Sequence, residues 1–230
     1  MASVYLVRHG QAGFGKLNYD QLSDLGKAQS ERVGQALTMR GIEAQQVIVG
    51  AMRRHRETMQ SAQTHWHSFG PVTEMSGFNE FDSDEVIARA HPQFKNKLAL
   101  GAWLMTQDNR AKAFQALFSG AVNRWISGEH DDDYQESWPA FCLRVETAFA
   151  NVIHNNRGGD IVIFTSGGPI TVLARQCLGL SDEHAFELNW TLRNAAITQL
   201  LYNRSGKVSL ATVNEHHHLA TAGKSFLTYR

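Results

Sequence analysis

The sequence predicts an α/β fold, a mostly parallel sheet flanked by helices, on three observations. Val4-Tyr5-Leu6-Val7, Val47-Ile48-Val49 and Ile161-Val162-Ile163-Phe164 are short apolar runs rich in β-branched residues, as expected of strands covered on both faces. Stretches with apolar residues at helical spacing separate them, and alternation of strand and helix is the pattern of a parallel sheet. The 230 residues, 43% of them hydrophobic, suffice for one sizeable core, so a single domain carrying an insertion is expected.

Each element has its own local warrant. Arg8-His9-Gly10 ends the first strand. Ser23 is placed to cap a helix whose ragged apolar face runs through Leu25, Ala28, Val33, Ala36 and Leu37, and which Gly41 stops. The strand at 47–49 leads to a helix through Met59, Ala62 and Trp66. Phe114, Leu117, Phe118, Ala121, Val122 and Trp125 line one face of a long helix, and Phe141, Val145, Ala148, Phe149 and Val152 line another. Residues from about 82 to 137 are rich in aromatics where the sheet needs no further strand, and read as a helical insertion over the sheet edge. Trp103, Phe114, Trp125 and Trp138 read as core. Gly167-Gly168-Pro169 opens a helix carrying Ile170, Leu173, Ala174, Cys177 and Leu178, with Pro169 suited to its first turn. Strands over Ala195 to Tyr202 and Val208 to Val213, joined through Asn203-Arg204-Ser205-Gly206, complete the sheet.

Composition excludes several classes of function. Lys plus Arg and Asp plus Glu balance at 22 each, so no net field draws the chain to nucleic acid or to an anionic membrane. No apolar run reaches membrane-spanning length. Cys142 and Cys177 lie in helical patterns without metal-type spacing and read as free buried thiols; with no signal-like N-terminal segment, a cytoplasmic protein is expected. His216-His217-His218 point in different directions and cannot all chelate one ion. Asp131-Asp132-Asp133 reads as a loop, lacking the glycine and distal glutamate of a calcium site. No metal or cofactor is expected, and no motif specifies an oligomeric state.

In such a sheet ligands bind at the carboxyl ends of strands, where loops meet helix N-termini. Arg8-His9-Gly10 follows the first strand and Ser166-Gly167-Gly168 a later one, so a phosphate pocket is expected there. Leu6-Val7-Arg8-His9-Gly10-Gln11 resembles the defining motif of the histidine phosphatase superfamily, the phosphoglycerate-mutase-like proteins. Leu22 to Gln29, Met52 to Thr58, Phe78 to Asp82, and Glu136-Ser137 with Arg144-Val145 resemble further segments of that family, over residues 4 to 178.

The resemblance implies a phosphoglycerate-mutase-like fold and metal-independent hydrolysis of a phosphomonoester, on a small molecule or a protein, through a phosphohistidine at His9. It implies Arg8 and Arg54 as phosphate ligands and Glu80 as the proton donor. Ser166 and Gly167 are expected to contact the phosphate, with Gln11, Asn18 and His218 as secondary candidates. At one position the chain departs from the family, which has a histidine before the two glycines. Ser166 keeps a hydroxyl there but no imidazolium. Three functions follow: a phosphatase, a catalytically weak module that binds phosphorylated ligands, and a phosphoryl mutase. Against the mutase stands the lack, over 82–137, of the arginine, tyrosine and proline run of the family's glycolytic mutases. Plainer readings are that Glu80 belongs to a solvated acidic face with Asp82, Asp84 and Glu85, and that Ser166-Gly167-Gly168 is only a tight turn. His218 or His184 would then be the donor to seek.

Overall fold

The computed structural model describes residues 2–13, 20–156, 158–203 and 205–229. Along the chain run β1 (Ala2–Arg8), α1 (Asp24–Met39), β2 (Ala44–Val49), α2 (Arg53–Ala62), β3 (Val72–Glu74), α3 (Ser83–Ala90), α4 (Lys97–Met105) and α5 (Arg110–Ile126). Then follow α6 (Trp138–Asn155), β4 (Asp160–Thr165), α7 (Gly167–Leu178), α8 (Asp182–Thr191), β5 (Ile197–Tyr202), β6 (Val208–Glu215) and α9 (His217–Ala220). Among the described residues no helix is long and apolar enough to cross a membrane.

The strands form one mixed sheet in the order β3-β2-β4-β1-β5-β6. β1, β4, β2 and β3 are mutually parallel, whereas β5 runs antiparallel to β1 and β6 antiparallel to β5. The apolar runs read from the sequence supply the parallel centre. Their alternate residues divide between two buried faces, as a period of two requires. Tyr5, Val7, Val47, Val49, Val162 and Phe164 join Val33 and Leu37 of α1 and Met59 of α2 in one cluster. Val4, Leu6, Ile161 and Ile163 are fully buried on the other face, where α7 packs on β1.

By contacts the chain divides into two compact units, Met1–Glu80 with Val145–Arg230, and Phe81–Arg144. The first contains the sheet. The second holds α3, α4, α5 and the start of α6, over the stretch expected to form a helical insertion. Its centre is aromatic: the Phe81 and Trp125 ring centroids lie 4.6 Å apart, those of Trp125 and Trp138 5.3 Å apart. Trp125 and Trp138 are buried, Trp103 and Phe114 only half-buried. Cys142 and Cys177 are both free thiols, the second half-buried.

Three of the departures from expectation have a local cause. α2 ends at Ala62, because the chain turns at Gln63 and brings Trp66 back so that its indole N–H donates to the Ile42 carbonyl at 2.9 Å. β5 begins at Ile197, not Ala195, whose φ of 57° is left-handed and cannot continue a strand. Asp131–Asp133 is a short 3-10 turn, tied by an ion pair from Arg124 to Asp133.

Candidate active site

Parallel pairing of β1 with β4 sets Arg8 opposite Thr165, so that His9 and Ser166 leave the sheet side by side. The His9 amide donates to the Thr165 carbonyl at 2.9 Å, and the His9 carbonyl accepts from the Ala195 amide at 3.1 Å. Gly10 lets α1 close over this turn: a Cβ there would stand 2.2 Å from the Gly26 carbonyl oxygen, and one at Gly26 would stand 2.1 Å from that of Gln11. The His9 ring is thus on a fixed backbone. Its Nδ1 lies 2.7 Å from the Gly10 carbonyl, a pure acceptor, so Nδ1 carries the proton and Nε2 the lone pair. Burial first, then Arg54, Arg8 and His55, hold its pKa well below the ordinary histidine value, against the Gly10 carbonyl. His9 is neutral near pH 7.

α2 supplies the second wall. Met52 at its N-cap offers no side-chain acceptor, and the Asp20 carboxylate serves instead, accepting from the Arg53 amide at 2.8 Å and from Arg54 Nη1 at 2.9 Å. Arg54 and His55 are both buried in its first turn. Arg54 Nη2 lies 3.4 Å from Ser166 Oγ, and His55 Nε2 only 2.6 Å from the same oxygen. Arg8 donates from Nη1 to the Leu192 carbonyl, with its guanidinium carbon 3.6 Å from where a Cβ on Gly167 would stand.

α7 brings its N-terminus to the same place. The Gly168 amide donates to both Glu80 carboxylate oxygens, at 3.1 and 3.2 Å. Thr165 Oγ1 donates to the Phe78 carbonyl at 2.7 Å, and the Ala51 amide to Asn79 Oδ1 at 2.7 Å, which keeps residues 78–80 beside the strand ends. Glu80 therefore does not belong to the acidic helix start. That role falls to Asp82, which caps α3 through the Asp84 and Glu85 amides.

Arg8, His9, Arg54, Glu80, Ser166 and Gly167 thus come together at the ends of β1 and β4. Gln11 is fastened to the start of α1, its Oε1 accepting from Ser23 Oγ at 2.9 Å. Asn18 lies outside the described residues. His218 places Nε2 2.9 Å from the Ala195 carbonyl, one residue behind the His9 backbone. His216 places Nδ1 2.6 Å from the Asn214 carbonyl, and the exposed His184 lies beside Ser181. Among the described residues no three His, Cys, Asp or Glu side chains are grouped to hold a metal ion.

His55 and Asp20 were not expected at the site. His55 had a signal in the sequence, since it falls on the same helical stripe as Met59 and Ala62. Asp20 had none, being a capping partner supplied from another part of the chain. Two guanidinium groups, a helix N-terminus and a neutral imidazole suit a tetrahedral dianion and a nucleophile beside it.

A family model described as the histidine phosphatase superfamily (branch 1) matches residues 4–215. No curated protein sequence is significantly similar to the chain. Among solved structures, a mutant phosphoserine phosphatase from Entamoeba histolytica in complex with phosphoserine is similar, with a TM-score of 0.65 and 17% identity over 95% of this chain and 100% of that one. A mycobacterial glucosyl-3-phosphoglycerate phosphatase gives a TM-score of 0.63 and 20% identity over 94% and 99%. A phosphoglycerate mutase from Bacillus anthracis gives a TM-score of 0.63 and 15% identity over 95% of each chain. The strand-end motif, the α/β sheet and the match along most of its length make this chain a member of the histidine phosphatase superfamily.

Proposed function

We propose that the chain is a metal-independent phosphatase that hydrolyses a phosphomonoester, of a small molecule or a protein, in two steps through a phosphohistidine on His9. The observation that carries this is the His9 tautomer: with Nδ1 turned to the Gly10 carbonyl, the Nε2 lone pair is left to attack. Arg8, Arg54 and the N-terminus of α7 balance the charge on the phosphoryl oxygens, the main means by which such transfers are accelerated. In the first step an Nε2–P bond forms as the ester P–O bond breaks, and Glu80 gives its proton to the departing oxygen. In the second, water attacks phosphorus, Glu80 takes back a proton, and the N–P bond breaks to release inorganic phosphate.

The test is hydrolysis of an aryl phosphate with and without EDTA, together with trapping of an acid-labile phosphoprotein. Parent protein should turn over equally in both conditions, and His9→Ala should lose both turnover and the trapped phosphate. An unchanged rate in His9→Ala, or a rate abolished by EDTA, would overturn the reading. A second reading, a module that binds phosphorylated ligands with little turnover, draws on Ser166, which contributes no cation and whose hydroxyl is engaged by His55. Tight phosphate binding with no measurable phosphoenzyme would favour it.

A further inference from the structure

Ser166 and His55 are both fully buried, and Ser166 Oγ lies 2.6 Å from His55 Nε2. The other ring nitrogen faces the turn between β2 and α2, where the Gly50 backbone is so close that a Cβ there would stand 2.2 Å from Nδ1. The Gly50 backbone favours the protonated ring without closing a hydrogen bond to Nδ1, and with the proton on Nδ1 the other nitrogen faces Ser166. Nε2 then carries a lone pair and Ser166 donates its hydroxyl proton to it. A serine has one such proton and cannot give it to His55 and to a bound anion at once.

We infer that Ser166 and His55 form a proton relay: when a phosphoryl dianion binds, Ser166 turns its hydroxyl proton to the anion, and His55 Nε2 takes a proton from solvent and donates it to Ser166 Oγ. No bond between heavy atoms forms or breaks, and the site gains a cation that serine by itself does not supply. The inference rests on the site receiving a phosphoryl group, as proposed above.

The groups around His55 set the sign. Arg54 and Arg56 face it from α2, the His9 ring lies 5.9 Å away at the end of β1 with Arg8 beside it, and Ser166 faces it from the start of α7. Asp20 pairs with Arg54, and Glu74 with Arg56. Burial, then Arg54, hold the His55 pKa well below its ordinary value, so the free site keeps this imidazole neutral near pH 7. A dianion beside Ser166 offsets the arginines, and in a low-dielectric setting that change of field falls strongly on the nearest titratable group.

Calorimetric titration with tungstate, a dianion that brings no proton near neutral pH, tests this in buffers of different ionisation heat. The parent should take up a proton on binding, with affinity rising by up to about tenfold for each pH unit lowered. Ser166→Ala and His55→Gln should each lose most of that uptake and flatten the pH dependence, while His9→Ala should keep both. Ser166→Ala removes one oxygen and keeps the test open should His55→Gln fail to fold. Equal uptake in Ser166→Ala and parent, or uptake lost in His9→Ala and kept in His55→Gln, would overturn the relay. If the parent binds no tungstate, the phosphoryl-site reading falls and the relay with it; binding without uptake sinks the relay alone.

Discussion

At the scale of the residue, Glu80 is the group whose chemistry and position can be separated. Both its oxygens accept from the Gly168 amide, and a glutamine would keep one such acceptor while losing the transferable proton. Glu80→Gln should therefore slow hydrolysis of an alkyl phosphate by roughly 100-fold or more, the usual contribution of a positioned acid. An aryl phosphate with a good leaving group should lose far less, because its oxygen departs without protonation. Rates on the two substrates in parent and variant make the comparison, and equal losses would assign Glu80 to holding the α7 N-terminus.

At the scale of the element, α1 reaches β1 through two glycines, and opposite effects meet at Gly26. Glycine to alanine inside a helix stabilises by about 1 kcal/mol on propensity alone. Here the added Cβ would stand 2.1 Å from the Gln11 carbonyl oxygen, a backbone atom that cannot swing aside. Overpacking of this kind costs about 1–3 kcal/mol, so Gly26→Ala should lower the denaturation midpoint and, by displacing the turn after His9, lower activity too. Lys27→Ala, on the exposed side of the same helix, is the control and should be near neutral.

What was legible in the sequence follows the same division. β1, β2 and β4 are buried on both faces and announce themselves as apolar runs, and Ser23 marks α1 because capping is local. β3 did not, since all three of its residues are exposed and its place comes from pairing with β2 and from the Glu74–Arg56 ion pair. α4 is apolar nearly all round and buries no residue, so no one-sided stripe marks it. At the site, Arg8, His9 and Ser166 were legible because strand ends are where such folds bind ligands. His55 was not singled out, because consecutive residues on a helix diverge by about 100° and only the packing of α2 against β4 turns both Arg54 and His55 toward Ser166.

At the scale of the whole molecule, buried histidines set the response to acid. In the folded state His9 and His55 are held well below the ordinary value of 6.5, and burial lowers His218 as well. The unfolded chain binds protons at these positions as pH falls through about 6.5, whereas the folded chain does not. Stability is thus fully present above that pH and drains away below it, by up to about 1.4 kcal/mol per pH unit for each histidine held neutral. Urea denaturation between about pH 7.5 and 5.5 should show the decline, and His55→Gln should make it shallower. A flat profile would mean that these imidazoles are charged in the folded state.

The place of β1 in the sheet also bears on when a newly made chain can become competent. β1 is made well before its two neighbours, β4 and β5, so that Val4 meets Ile161 on one side and Leu200 on the other. Contacts so distant in sequence close late and slowly. The Thr165 and Ala195 backbone groups that hold His9 are made much later than His9 itself. Until β4 and β5 are made, β1 is an unpaired apolar segment, open to wrong pairings that the finished sheet excludes.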